Sequence, residues 1–320
     1  MTSSATPNLN SIAINQVVSR YAFIVVLKAS LDGKSYRFAR QIAQDWLKIY
    51  AGDLEVAYLL CRALLGEGDK KQALELLKSI CRRDPEYYEA LETLALLSAG
   101  SSDAALEPLV GLMALANLEK PPVSMPRWGH EFDTAWKTYK EGKLEQALPL
   151  SEAMLQAHPD YVLAAILNLR ILAANGDEVG EMQKGATYHK RWPECVSISL
   201  LLASFKMKMG QETEAVGLLH ECVSNDAVGQ VAQRIWGAGH AYSPLWVDNF
   251  DFRFTYAIPA SVAELLGWNQ LPAGQQVKSA HGSAGDTSAE TVSFDDASSA
   301  AGSTEQTGTA TVEEGLGESL

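Results

Sequence analysis

A repeat of 34 residues constrains the fold of this sequence more than any other feature. Residues of several types recur at this spacing in both halves of the chain. They are Gly142, Gly176 and Gly210, Pro159 and Pro193, and Ala39 and Ala73. A period of this length indicates that one supersecondary unit is copied along the chain.

Residues 54–87 show what one unit contains. Apolar residues recur there at three- and four-residue steps, which is typical of helices, in two separate runs. The first run is Ala57, Leu60, Cys61 and Leu64, and the second is Ala73, Leu77 and Ile80. Gly66, Gly68 and Asp69 separate the runs, and Pro85 follows the second run, where proline blocks continuation of a helix. We therefore predict a helix, a turn and a second helix.

This order of small residues, glycine, alanine and proline resembles the tetratricopeptide repeat family, whose unit has about 34 residues. The match is best in residues 54–87, and we place six units along the chain. Their bounds are 20–53, 54–87, 88–119, 128–161, 162–195 and 196–229. The third unit is two residues short in its turn, and in the fifth Asn168 and Glu181 replace the usual leucine and alanine. The resemblance implies an all-α, right-handed superhelical solenoid of about six TPR-like helix pairs.

The helical repeat domain is predicted to occupy residues 10–237. Residues 1–9 are polar and predicted to be disordered, and the apolar residues after Ser11 place the start of the first helix near that residue. Three prolines predict a joint near residues 120–127 between two halves of three repeats. Residues 229–237 carry an apolar pattern that predicts a last helix covering the open end of the solenoid.

Residues 238–275 form an aromatic-rich extension of different character. Aromatic side chains alternate with other residues from Phe250 to Ile258, and this two-residue period predicts a strand. Pro259 then opens a short predicted helix, in which Ser261 and Glu264 could form a capping box. No strand pattern is recognised before Phe250.

The aromatic residues of segment 242–268 need burial somewhere. We expect the segment to fold back on the last repeats, with Trp246 and Trp268 anchored on the terminal helices. The alternatives are docking on a partner protein and self-association with a second copy of the chain. The residues expected to carry the contact are Trp246, Phe252, Phe254 and Trp268.

Charge and hydropathy exclude several partners. The low-complexity tail, residues 276–320, holds eight acidic residues and one lysine, and it is predicted to be disordered because it lacks apolar residues for a core. The chain as a whole carries a net charge of -13, so we expect no general attraction to nucleic acid or to anionic membranes. Its early apolar run, residues 22–27, is too short to cross a bilayer, so we expect no membrane insertion.

The sequence contains no residue pattern typical of a catalytic or metal site. No phosphate-binding loop, HExxH motif or nucleophile elbow occurs, and His220 and Cys222 would lie on different faces of a helix. The four cysteines are far apart and form no CxxC pair, which fits a reducing cytoplasm. We therefore expect a cytoplasmic protein that is not an enzyme and holds no cofactor or metal.

The resemblance implies that the first helix of each repeat lines a concave groove. The residues at the family's groove positions include Tyr58, Arg62, Phe132, Trp136, Tyr139, Lys140 and Arg170. Aromatic and cationic side chains suit an apolar or acidic peptide. An equally weighted alternative is that Phe132 and Trp136 only fill the contact between adjacent repeats. The family's carboxylate clamp of paired lysines and asparagines is not found at these positions.

These features predict a non-catalytic protein-interaction scaffold or adaptor that holds a peptide or helix in its groove. The alternative is a regulatory or DNA-associated subunit that dimerises through the extension, since residues 250–277 loosely resemble the swapped-hairpin transcription regulators. An enzyme with a site built between repeats is a third class, for which no catalytic set can be named. The sequence does not identify the partner.

Overall fold

Helix pairs follow one another along the chain in the phase that the repeat predicts. The computed structural model describes residues 11–13, 16–98, 106–116, 125–246, 250 and 252–268. The paired helices in this part of the chain are α1 (Arg20–Asp32), α2 (Tyr36–Ile49), α3 (Leu54–Gly66), α4 (Lys70–Arg83), α5 (Tyr88–Ser98), α6 (Glu107–Ala116), α7 (Arg127–Lys140), α8 (Leu144–Ala157), α9 (Val162–Asn175), α10 (Glu178–Arg191), α11 (Val196–Lys208) and α12 (Glu212–Asn225). Each of these helices packs against the next. The predicted all-α solenoid of tetratricopeptide-like helix pairs is confirmed.

Two further α-helices, α13 (Gln230–Trp236) and α14 (Ala260–Leu265), and a short 3-10 helix at Ser243–Leu245 complete the helices of the described residues. Helix α13 is the predicted last helix of the array, and it packs against α11. The turn of the third unit, which we expect to be short, and most of the joint near 120–127 lie outside the described residues.

One residue in each described turn within a repeat has a left-handed backbone. Four repeats place glycine there, with φ from +69° to +87°, at Gly68, Gly142, Gly176 and Gly210. A side chain is penalised in this region, which is why glycine recurs with the period. In the first repeat Lys34 takes the same position with a φ of 55°.

Asn168, which stands where the family pattern has leucine, is fully buried and hydrogen-bonded. Its Nδ2 donates to the hydroxyl of Ser151 at 2.9 Å, and its Oδ1 accepts from the hydroxyl of Tyr188 at 3.1 Å. A satisfied polar network therefore replaces an apolar contact between α8, α9 and α10.

The first helix begins at Arg20, so the expected start near Ser11 is wrong. Two short strands precede it instead, β1 (Ser11–Ala13) and β2 (Gln16–Val18). Both pair with strands of the C-terminal extension. Sequence reasoning missed them because their hydrogen-bonding partners come from the other end of the chain.

The extension contains two strands, β3 (Phe252–Phe254) and β4 (Ala257–Pro259), where the sequence predicts one. Strand β3 is antiparallel to β2 and β4 is antiparallel to β1, in two separate two-stranded sheets. The short helix after Pro259 is present as α14. Ser261 does not cap it, because Pro259 is the N-cap and Ser261 lies inside the helix, where its hydroxyl is 3.1 Å from that of Ser35.

The strands of the extension pack on the first repeat. The prediction that they pack on the last repeats is therefore wrong. The ring of Phe252 lies 5.2 Å from those of both Phe23 and Trp46, and Phe254 joins the same core. Trp268 is partly buried against this core as well. Trp246 does follow the expectation, since it packs with residues of α12 and α13, and its Nε1 donates to the carbonyl of Asp226 at 2.8 Å.

The extension can reach the first repeat because the first and last repeats touch. The amide of Ala227, after α12, donates to the carbonyl of Gly52, before α3, at 3.0 Å. Leu54 belongs to the same apolar core as residues of α11 and α12. The described residues lie within one compact unit, Met1–Val277; the second unit, Lys278–Leu320, lies outside them, as does the segment 1–9.

Candidate binding site at the junction of the repeats

A cavity of about 360 Å³ lies where the second repeat meets the later repeats. Helices α7, α9, α11 and α13 and the turn after α4 all contribute to its wall. The lining residues are Glu86, Tyr139, Arg170, Ala173, Leu201, Arg234 and Ile235. The cavity thus combines apolar side chains with one carboxylate and two guanidinium groups. We call this cavity the junction cavity.

Arg170 of α9 does not present a free charge to the junction cavity. Its Nη1 and Nη2 donate to Oε1 and Oε2 of Glu86, each at 2.7 Å. The side chains are 18% and 4% exposed, respectively, so this fork-shaped pair is largely withdrawn from water. The hydroxyl of Ser197 donates to the same carboxylate at 3.3 Å.

Arg234 of α13 forms a second pair with the same turn. Its Nη2 and Nη1 donate to the oxygens of Asp84 at 2.5 and 3.0 Å, and Nη2 also lies 3.5 Å from Oε2 of Glu86. Asp84 is fully buried and also accepts from the amide of Glu86 at 3.1 Å and from Nε2 of Gln230 at 3.3 Å. Two carboxylates and two guanidinium groups therefore balance in charge.

The electrostatics of this cluster favour its charged form. Burial by itself would raise the pKa of Glu86, but the charges of Arg170 and Arg234 outweigh it, and the pKa of Glu86 is lowered. Burial likewise opposes the charge on Arg234, and Asp84 outweighs it, so that the pKa of Arg234 is raised. The charged forms of Glu86 and Arg234 are therefore favoured because each group faces opposite charges.

Trp136 contacts two cations. The Nζ of Lys140 and the Cζ of Arg170 are each 5.8 Å from its ring centroid, which is within the range of a cation–π contact. The residue is 3% exposed, and its Nε1 has no hydrogen-bond partner. Trp136 thus contacts Arg170 from within the protein, because almost none of the Trp136 surface is exposed.

Phe132 is fully buried, with its ring 4.9 Å from that of Tyr161, the last residue of the same repeat, directly before α9. Phe132 has no exposed surface and is not among the residues that line the junction cavity. Tyr139 lines the junction cavity, and Lys140 is exposed.

The groove positions of the second repeat lie outside the lining of the junction cavity. Tyr58 is half-buried, with its ring 5.6 Å from that of Tyr87 and its hydroxyl 3.1 Å from that of Thr93. Arg62 is exposed. The structure therefore brings together Trp136, Tyr139 and Arg170, while Tyr58 and Arg62 are not among the lining residues of the junction cavity.

Sequence reasoning missed Glu86, Arg234 and the apolar lining residues Leu201 and Ile235. One signal was available, since Arg234 is the sole charged residue in the otherwise uncharged segment 229–237. The turn of the second repeat carried no comparable signal, because its acidic residues look like ordinary solvated turn residues.

A serine, a histidine and a glutamate also come together between α10, α11 and α12. Nδ1 of His189 lies 3.2 Å from the hydroxyl of Ser199, and its Nε2 lies 3.6 Å from Oε2 of Glu221. Ser199 is 2% exposed and donates to the carbonyl of Cys195 at 3.2 Å. A substrate could not reach this hydroxyl, so the cluster is a packing contact between helices.

The thiols are poor nucleophiles where they lie. Burial raises the pKa of Cys61, Cys81 and Cys195 to about 12, and it raises that of Cys222 further. Among the residues that the structure describes, no cluster of side chains could hold a metal ion. In the same part of the chain, no helix has the length and apolar character needed to cross a membrane.

Comparisons with known proteins give structural neighbours only. No protein-family model and no curated protein matches the chain. Its structural neighbours include MamA 41-end from Desulfovibrio magneticus RS-1, with 14% identity over 64% of this chain and 94% of that one and a TM-score of 0.27. The TPR domain of P58(IPK) matches with 15% identity over 67% of this chain and 62% of that one, at a TM-score of 0.32. The assignment of the fold rests on the helix pairs of this chain.

Proposed function

We propose that the protein is a non-catalytic interaction scaffold that binds a peptide or helix of a partner protein at the junction cavity. The observation that carries this proposal is the convergence of Tyr139, Arg170, Leu201 and Ile235 from successive first helices and α13 onto one cavity. Apolar and aromatic side chains with a few placed charges are what a binding pocket needs. We also propose a cytoplasmic location, which the four free thiols support.

The alternative of a dimer formed through the extension has less support. Strand β3 already pairs with β2 of the same chain, and Phe252 and Phe254 are buried against the first repeat. The extension therefore does not need a second copy to bury its aromatic residues.

The proposed site can be tested by crosslinking from within it. A photoreactive phenylalanine analogue replaces Tyr139 in the full chain, and the same analogue replaces Tyr21 as a control, because Tyr21 is 79% exposed at the first helix. We expect a discrete crosslinked partner from position 139 in native cells, and loss of that product when Leu201→Arg is added. Equal products from both positions, or none from position 139, would contradict the proposal.

A further inference from the structure

The turn that closes the junction cavity has the chemistry of a ligand. Asp84–Tyr87, which we call the acidic turn, connects α4 to α5 in the second repeat. Its two carboxylates lie against Arg170 and Arg234, which are 84 residues beyond Glu86 and 150 beyond Asp84. An acidic segment is thus bound by side chains of α9 and α13, as a partner segment would be.

Glu86 occupies the position that a ligand carboxylate would take. It accepts both donors of the Arg170 fork at 2.7 Å and is 4% exposed, and the next residue, Tyr87, packs against the apolar cores on both sides of the junction. Glu86 also lines the junction cavity, so unfilled space begins directly beside the occupied guanidinium.

Exchange of one carboxylate for another would preserve the electrostatics of the cluster. Withdrawal of Glu86 alone would leave Arg170 largely buried without its partner, which is costly. Replacement by the carboxylate of another segment would restore the same hydrogen bonds. Beyond the acidic turn, the second repeat also contacts the later ones through an exposed pair of Arg82 with Glu194 at 3.3 Å, and the end of the first repeat contacts the last through the bond from Ala227 to Gly52. Exposed pairs of this kind contribute little.

We propose that the acidic turn is a built-in competitor for the junction cavity. A partner segment with a carboxylate beside an aromatic ring displaces Glu86 from Arg170 and separates the second repeat from the fifth and sixth. This inference rests on the proposed function, because it names the ligand class and the regulation of the same site. Since the competitor belongs to the same chain, it acts at an effective concentration of about millimolar or higher, and it suppresses weak ligands.

The test uses the acidic turn itself as a free ligand. The probe is the peptide acetyl-Asp-Pro-Glu-Tyr-Tyr-amide, and calorimetry measures its binding to the full native chain and to Glu86→Gln. We expect Glu86→Gln to bind the peptide at least about tenfold more tightly than the native chain does, because its own competitor has lost its charge. Glu89→Gln is the matched control, since it removes an exposed carboxylate three residues away, and it should bind like the native chain.

Two further measurements tie binding to the cluster. Adding Arg170→Gln to Glu86→Gln should abolish the gain, and so should a peptide with glutamine in place of its glutamate. Amide exchange at Ala227, which reports closure through its bond to Gly52, should speed up when the peptide is bound. If Glu86→Gln does not fold, Glu86→Asp, which keeps the charge but shortens the reach to Arg170, should show a smaller gain.

Equal affinity of the native chain and the folded variant for the peptide would overturn the inference, as would a gain that survives loss of Arg170. The peptide test needs no natural partner. A failed crosslinking experiment with a positive peptide result would therefore reject the proposed function in cells and leave the competitor in place. A discrete crosslinked partner together with a negative peptide result would keep the proposed function and reject the competitor.

Discussion

At the scale of the residue, Lys34 shows how the repeat constrains single positions. It lies at the left-handed turn position that glycine occupies in four other repeats, with a φ of 55°. A side chain in this conformation strains the folded state by about 1–2 kcal/mol. Replacing it with glycine recovers only part of this energy, because glycine has more conformational entropy to lose from the unfolded state.

Lys34→Gly should therefore stabilise the protein by about 0.5–1 kcal/mol, measured by urea unfolding. The reverse exchange at the equivalent position of the second repeat, Gly68→Lys, should destabilise it by a similar amount. The space at Gly68 is open, so the effect there comes from the backbone and not from a clash. Effects of the same sign in the two variants would contradict this explanation.

Asp226 links stability to pH. It is fully buried, and burial raises its pKa to about 6 although the amides of Val231 and Gln230 favour the charged form. The unfolded value is near 3.8, so the folded state binds the proton more tightly. The contribution of this group to stability is therefore fully present below about pH 4 and is lost as the pH rises to about 6.

The measurement compares the free energy of unfolding of the native chain with that of Asp226→Asn, which cannot titrate, at pH 4 and pH 7. The native chain should lose about 1–3 kcal/mol more than the variant over this interval. A constant difference between the two proteins would show that Asp226 does not titrate as described.

At the scale of the element, β3 illustrates how one strand serves two surfaces. Phe252 faces the core, with 3% exposure, while Arg253 next to it is exposed, as the two-residue period of a strand requires. The strand holds the extension on the first repeat through the aromatic rings of Phe23 and Trp46.

Phe252→Ala should destabilise the protein by about 3–5 kcal/mol, because it leaves a cavity among aromatic rings. Arg253→Ala, on the other face of the same strand, should change stability by no more than about 0.5 kcal/mol. Both are measured by urea unfolding of the full chain. Similar losses in the two variants would place the strand in another register.

At the scale of the whole molecule, the close approach of the first and last repeats depends on a glycine. A Cβ built on Gly52 would lie 2.7 Å from the carbonyl oxygen of Ser224 and 2.9 Å from the amide nitrogen of Ala227. Both neighbours are backbone atoms of the last repeat, so they cannot move aside as a flexible side chain can.

Gly52→Ala should weaken this contact, lower stability by about 1–3 kcal/mol and speed up amide exchange at Ala227. Gly217→Ala is the matched control. Gly217 lies in α12 with no atom within 4 Å of a built Cβ, so the added methyl group should leave the contact intact and favour the helix. Unchanged exchange at Ala227 in Gly52→Ala would show that the ends are held by other contacts.

The sequence by itself determined the helix pairs and their turns. These features follow from local rules, because the apolar period, the turn glycines and the terminating prolines act within one repeat. The tertiary structure decided which distant groups meet. The pairing of β2 with β3 and the binding of Glu86 by Arg170 depend on how small rotations between successive repeats add up until the ends touch. No single repeat encodes that sum. For this reason the sequence predicts that the charge of Arg170 is available to a partner, whereas in the structure Glu86 of the same chain already matches it.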